Sequence, residues 1–168
     1  DVERIIGTKM TKQNEIPFRV ISDHIKSICM LMSDGIIPSN EGRGYVLRRI
    51  IRRAIVQSNK IKKGEIFLNK LVKGVIEKYS KNYFELKKSQ KFIEENLKNE
   101  EIKFSETLQT GLSILNDEIN TKKPKQLSAE LAFKLYDTYG FPVDVTQNIL
   151  TEKNIKLDIN QYCEWLNW

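Results

Sequence analysis

Asn40, Arg43, Arg48, Arg49, Arg52 and Arg53 crowd one short stretch of the chain, behind the turn Pro38-Ser39 and interrupted by Gly42 and Gly44. A guanidinium is a permanently charged planar fork that matches phosphate oxygens. The chemistry that such residues offer is recognition of a phosphate-bearing polymer. At roughly 100° per residue, Arg48, Arg49, Arg52 and Arg53 occupy one arc of a helix, and Leu47, Ile50, Ile51, Ala54 and Ile55 occupy the opposite arc. One face suits a core and the other suits anions. Four guanidiniums within two turns repel one another, and the only acid nearby in sequence is Glu41, so an external polyanion explains them more economically than a solvated surface does.

Two further residues carry alternatives. Asn40, beside Ser39 at a helix start, reads by itself as an ordinary capping residue. Asp137 lies between Tyr136 and Tyr139 near the C-terminus of a helix, where the helix dipole disfavours a carboxylate; a functional role and a tertiary salt bridge both account for it. Some of the arginines are expected to pair internally, with Asp23 or Asp137 as the acids.

Chemistry of other kinds finds no footing. The chain has no glycine-rich phosphate loop, no Cys/His constellation and no nucleophile with a neighbouring base, so no catalytic residue and no metal ligand is assigned. His24, the only histidine, reads as a capped or core side chain, and Tyr136 and Tyr139 as core aromatics. Cys29 and Cys163 are far apart and are expected to be buried thiols in a reducing compartment.

The elements that must position these residues are helical. Apolar residues recur at threes and fours, and no alternating strand pattern of useful length appears, so the fold class is all-α: a bundle of about six to seven helices. The first is expected from about Pro17 to Ser33, with Val20, Ile21, Ile25, Ile28, Cys29 and Met30 inward and Asp34-Gly35 as its stop. The basic helix fades at Ser58-Asn59, and a third covers residues 65–79. Residues 84–119 form one long helix or a collinear pair, with Ile93, Leu97, Phe104, Leu108, Leu112, Leu115 and Ile119 at coiled-coil-like spacing. Ser128 is a candidate N-cap with Glu130 in the first turn. That helix ends at Gly140, Pro142 starts the next, and a last helix spans 159–168 with Trp165 and Trp168 packed.

The 168 residues can bury one substantial core or two small ones. Residues 1–16 are read as the tail of a preceding region and 17–168 as the helical domain, divisible into 17–80 and 84–168. With 28 Lys+Arg against 22 Asp+Glu, the net charge of +6 favours a nucleic-acid or anionic-membrane partner over an acidic one. The apolar runs are far short of a membrane span. The opening Asp1-Val2-Glu3-Arg4 has no signal-peptide character, and the chain is expected to begin inside a longer protein.

The stretch from Pro38 to Ala54 resembles the signature of alanyl-tRNA synthetases. Two other blocks agree with it in the same order: Phe18-Arg19-Val20-Ile21-Ser22-Asp23-His24-Ile25 and Leu135-Tyr136-Asp137-Thr138-Tyr139-Gly140-Phe141-Pro142-Val143-Asp144. The resemblance implies the helical tRNA-recognition region that follows the class II catalytic domain, in an enzyme joining alanine to its tRNA with ATP and Mg²⁺ in the cytoplasm, or in an organelle of bacterial ancestry. It implies that Asn40 and Asp137 read the G·U wobble pair of the tRNA acceptor stem, and that Arg43, Arg48, Arg49, Arg52 and Arg53 hold the RNA backbone. The family's ATP and alanine sites lie upstream and its Zn²⁺-dependent editing domain downstream. The chain by itself is therefore expected to carry no cofactor and no activity, and to have those missing domains as partners alongside the tRNA. Two other classes compete: a basic helical module binding RNA or DNA without specificity, and a helical protein-interaction scaffold with an acidic partner.

Overall fold

The computed structural model describes residues 2–166. Among them the helices run in the order α1 (Val2–Ile6), α2 (Glu15–Ser33), α3 (Gly42–Ile61), α4 (Leu68–Tyr79), α5 (Glu85–Lys122), α6 (Ala129–Asp137), α7 (Val143–Glu152) and α8 (Ile159–Leu166), with two-residue strands β1 (Gln126–Leu127) and β2 (Lys156–Leu157). The fold is helical, as expected. The described residues hold eight helices rather than six to seven, the addition being the short α1. The chain divides into two compact units, Asp1–Lys103 and Phe104–Trp168.

In the first unit, α2 starts where Asn14 Oδ1 accepts from the Thr11 N–H at 2.6 Å. Pro17 falls in its first turn, where a missing N–H costs no helical bond. Gly35, at φ +83°, turns the chain out of the helix. Its core face presents Ile21, Ile25, Ile28, Cys29 and Met32, all buried, whereas Val20 and Met30, expected inward, are half-buried. Leu47, Ile51, Ala54 and Ile55 of α3, Leu68 and Val72 of α4, and Leu86, Ile93 and Leu97 of α5 complete the buried apolar set. Burying each such Ile or Leu stabilises the fold by about 1.5–3 kcal/mol. Burial also pushes the Cys29 thiol up to about 12, with the Glu94 carboxylate adding to the effect.

The run expected as one long helix or a collinear pair is a single helix of 38 residues. Its apolar seam is interrupted between Leu97 and Phe104. The three- and four-residue steps fall there on Glu100 and Glu101, and both are buried. The Glu101 carboxylate accepts from the Phe67 and Leu68 N–H groups, each at 3.1 Å. It thus supplies to α4 the cap that Phe67, at the N-cap position, cannot make itself. Burial outweighs those amides and pushes the Glu101 carboxyl up to about 7.

In the second unit, Ser128 caps α6 by accepting from the Leu131 N–H at 3.3 Å, with Glu130 in the first turn, as the sequence suggests. After α6 the Gly140 and Phe141 N–H groups return to the Tyr136 and Leu135 carbonyls, and Gly140 adopts φ +69°. Phe104, Leu108, Leu115, Leu135, Phe141, Val145, Leu150 and Tyr162 form the buried set, while Leu112 is half-buried. Strands β1 and β2 pair in parallel, Gln126 with Lys156 and Leu127 with Leu157. Two residues are too few for alternation to register in a sequence, which is why no strand was expected. Cys163, expected buried, is exposed, because α8 turns the adjacent Tyr162 inward instead. The expected packing of Trp165 and Trp168 lies outside the described side chains.

Candidate nucleic-acid interface

The turn before α3 is folded back onto the first turn of that helix. The Ser39 N–H donates to the Gly44 carbonyl at 3.1 Å, and Ser39 Oγ donates to the Glu41 carbonyl at 2.9 Å. Gly44 is required by that closeness: a Cβ there would run into the Ser39 side chain and the Ile37 carbonyl. Gly42 is required by its own backbone, at φ +56°. Arg43, between the two, is exposed.

Asn40 is not a cap. The N-cap position belongs to Glu41, which makes no side-chain cap bond, and Asn40 instead receives a hydrogen bond on Oδ1 from Arg48 Nη1. Arg48 in turn sets its Nε 3.3 Å from Glu100 Oε1. That contact is an ion pair lacking hydrogen-bond alignment, since Arg48 Nε has no hydrogen-bond partner. Arg52 donates from Nε to the same oxygen at 3.0 Å. One carboxylate, 7% exposed, therefore serves two guanidinium side chains that are 22% and 20% exposed.

The arginine arc thus splits into two pairs four residues apart. Arg48 and Arg52 lean on Glu100, whereas Arg49 lies over the Tyr45 ring at 5.9 Å and Arg53 is exposed. An internal acid was expected and is present, but it is Glu100 rather than Asp23 or Asp137. Asp23 lies 3.4 Å from His24 Nδ1. Asp137 is the last residue of α6. It is exposed, and its carboxylate makes no hydrogen bond or ion pair among the described residues. Tyr136 packs edge-on against Tyr162 at 6.5 Å, as a core aromatic would. Sequence reasoning did not single out Glu100. The available signal was the gap in the α5 seam, where a core position is filled by an acid.

No group of three or more His, Cys, Asp or Glu side chains among the described residues converges to hold a metal ion, and no described helix is long and apolar enough to cross a membrane. What the arrangement offers is an amide in a fixed orientation beside a cluster of guanidiniums, a recognition surface for phosphate and hydrogen-bonding edges.

The chain matches the family model described as tRNA synthetases class II (A) over residues 1–167. It is 51% identical over 144 residues to an alanine–tRNA ligase of Neisseria meningitidis, an alignment covering 86% of this chain and 16% of the relative. A Buchnera aphidicola alanine–tRNA ligase is 49% identical over 155 residues, 92% of this chain and 18% of the relative. The Rickettsia akari alanine–tRNA ligase is 45% identical over 157 residues, with 93% and 18% covered. The chain therefore spans less than a fifth of the length of these relatives.

Proposed function

Since the chain belongs to the class II (A) tRNA synthetases, we propose that it is the acceptor-stem recognition module of an alanine–tRNA ligase. The parent enzyme would join alanine to its tRNA through an alanyl-adenylate, using ATP and Mg²⁺ in a catalytic domain upstream and Zn²⁺ in an editing domain downstream. It would work in the cytoplasm, or in an organelle that translates its own messages. The module's own contribution would be binding of the tRNA.

The observation that carries this reading is the exposed Asn40, oriented by Arg48 at the head of a helix lined with arginines. Its Oδ1 is engaged, so its Nδ2 group is the face it offers to an acceptor on a base edge or a ribose. In A-form RNA the minor groove is wide and shallow, and it exposes those groups to side chains on a rigid helix. Asp137, an exposed carboxylate without a partner among the described residues, is an acceptor for the guanine 2-amino group that a G·U wobble leaves unpaired in that groove. Arg43, Arg49 and Arg53 hold the sugar-phosphate backbone, and the outer edges of Arg48 and Arg52 add to them. These contacts place the stem without reading its sequence.

The test is binding of the chain to two acceptor-stem hairpins that differ only in a G·U or a G·C pair, at near-physiological salt. Asn40→Ala and Asp137→Ala variants are measured in parallel. Each substitution is expected to cost roughly tenfold to a hundredfold in discrimination, the worth of one such hydrogen bond. Equal binding of both stems by all three proteins would leave a non-specific basic clamp, and absence of RNA binding even at low salt would leave the scaffold reading.

A further inference from the structure

With Asn40 taken, as above, to be a base-recognition residue, we infer that Glu100 and Arg48 are positioning residues for it. Glu100 anchors the Arg48 guanidinium, and Arg48 fixes the Asn40 carboxamide in the orientation that presents Nδ2 outward.

Three observations carry this. First, the contacts form a chain: Glu100 Oε1 faces Arg48 Nε at 3.3 Å, and Arg48 Nη1 donates to Asn40 Oδ1. The guanidinium is held at its inner nitrogen and does its holding with an outer one, which only a planar, multi-donor head can do. Second, the sign of Glu100 is wrong for a site that only attracts phosphate. A buried carboxylate cancels one of the two positive charges beside it and weakens the pull on a polyanion. An acid kept there contributes geometry rather than attraction. Third, Glu100 takes a place on the α5 seam that the period of three and four reserves for an apolar side chain, between Leu97 and Phe104. It is 7% exposed and bonded to Arg52 as well. Arg52 thus holds the same carboxylate oxygen that Arg48 faces, and the Arg48 guanidinium is set against a fixed acceptor. An exposed asparagine otherwise samples several orientations of its amide, and discrimination between two base pairs requires one of them.

The arrangement divides labour among the arginines. Arg48 serves specificity through Asn40, while the exposed Arg43 and Arg53 serve affinity.

The experiment compares the unsubstituted chain with Glu100→Ala, Arg48→Lys and Asn40→Ala on the same pair of G·U and G·C hairpins, reading affinity for each stem and the ratio between them. Arg48→Lys keeps the charge and loses the fork. In both Glu100→Ala and Arg48→Lys the preference for the wobble stem is expected to fall by about tenfold toward unity. Affinity for the G·C stem is expected to fall less than affinity for the wobble stem with Arg48→Lys, which keeps the charge that meets the backbone, and to stay unchanged or rise with Glu100→Ala, which removes a negative charge. Thermal melts identify a variant that does not fold; if Glu100→Ala is one, Arg48→Lys carries the test. Retention of the preference, or parallel loss of affinity for both stems, would overturn the positioning role; parallel loss would leave Arg48 as a phosphate ligand only. If Asn40→Ala loses the preference and these variants keep it, only the positioning role falls. If the unsubstituted chain does not distinguish the stems, the reading of Asn40 falls and the positioning role falls with it.

Discussion

Gly111 lies against the edge of the Phe141 ring, so closely that a Cβ at position 111 would sit 2.5 Å from Phe141 Cε2. The ring has little room to retreat, being fully buried and packed edge-on against Phe104 at 5.9 Å. Replacing a glycine in the middle of a helix by alanine ordinarily gains about 1 kcal/mol from helix propensity. Here overpacking, typically about 1–3 kcal/mol, opposes and exceeds that gain. Gly111→Ala is expected to lower the denaturation midpoint, and Gly111→Ala combined with Phe141→Leu to recover part of the loss by making room.

Glu101 links stability to pH. Its carboxyl is pushed up to about 7 from an ordinary 4.5, so between these values the folded chain binds a proton that the unfolded chain releases. The proton count is higher in the folded state, and stability therefore falls as pH rises. The contribution is fully present below about 4.5 and lost above about 7. Glu101→Gln keeps an acceptor for the α4 amides and cannot ionise. Thermal melts between pH 4.5 and 7 are expected to show a downward slope in the parent chain that is shallower in this variant.

The two cysteines are expected to differ in reactivity. Cys29 is buried with its thiol raised to about 12, and Cys163 is exposed. The thiolate is the reactive species. In native protein at mildly alkaline pH, a thiol-specific reagent is expected to modify Cys163 promptly and to reach Cys29 only after denaturation. Prompt reaction at Cys29 would contradict the packing of α2.

Salt dependence sorts the arginines. A residue that neutralises a phosphate contributes about one unit to the slope of log affinity against log salt. Arg43→Ala is expected to flatten the slope for an RNA hairpin by about that much. Arg52→Ala is expected to change it less, because its charge is already shared with Glu100. Equal changes at both positions would mean that RNA displaces the internal carboxylate.

Much of this protein was determined by its sequence alone. The helical class, the stop at Gly35, the cap at Ser128 and the buried faces of α2 to α5 follow from local periodicity and local hydrogen bonding. The glycines around Arg43 likewise mark a tight turn by residue type alone. The arginine-rich stretch was legible for the same reason: its arginines and Asn40 are neighbours in the chain.

Only the tertiary structure decided which arginines are committed internally. Arg52 and Glu100 are 48 residues apart, and no helical period connects them. The broken seam between Leu97 and Phe104 announces that something polar is buried there, but the partner is chosen by how α3 and α5 pack. The same holds for the Glu101 cap on α4, the pairing of β1 with β2 and the exposure of Cys163. In each case the deciding term is the desolvation of a group by residues remote in sequence, a quantity that exists only once the chain has folded.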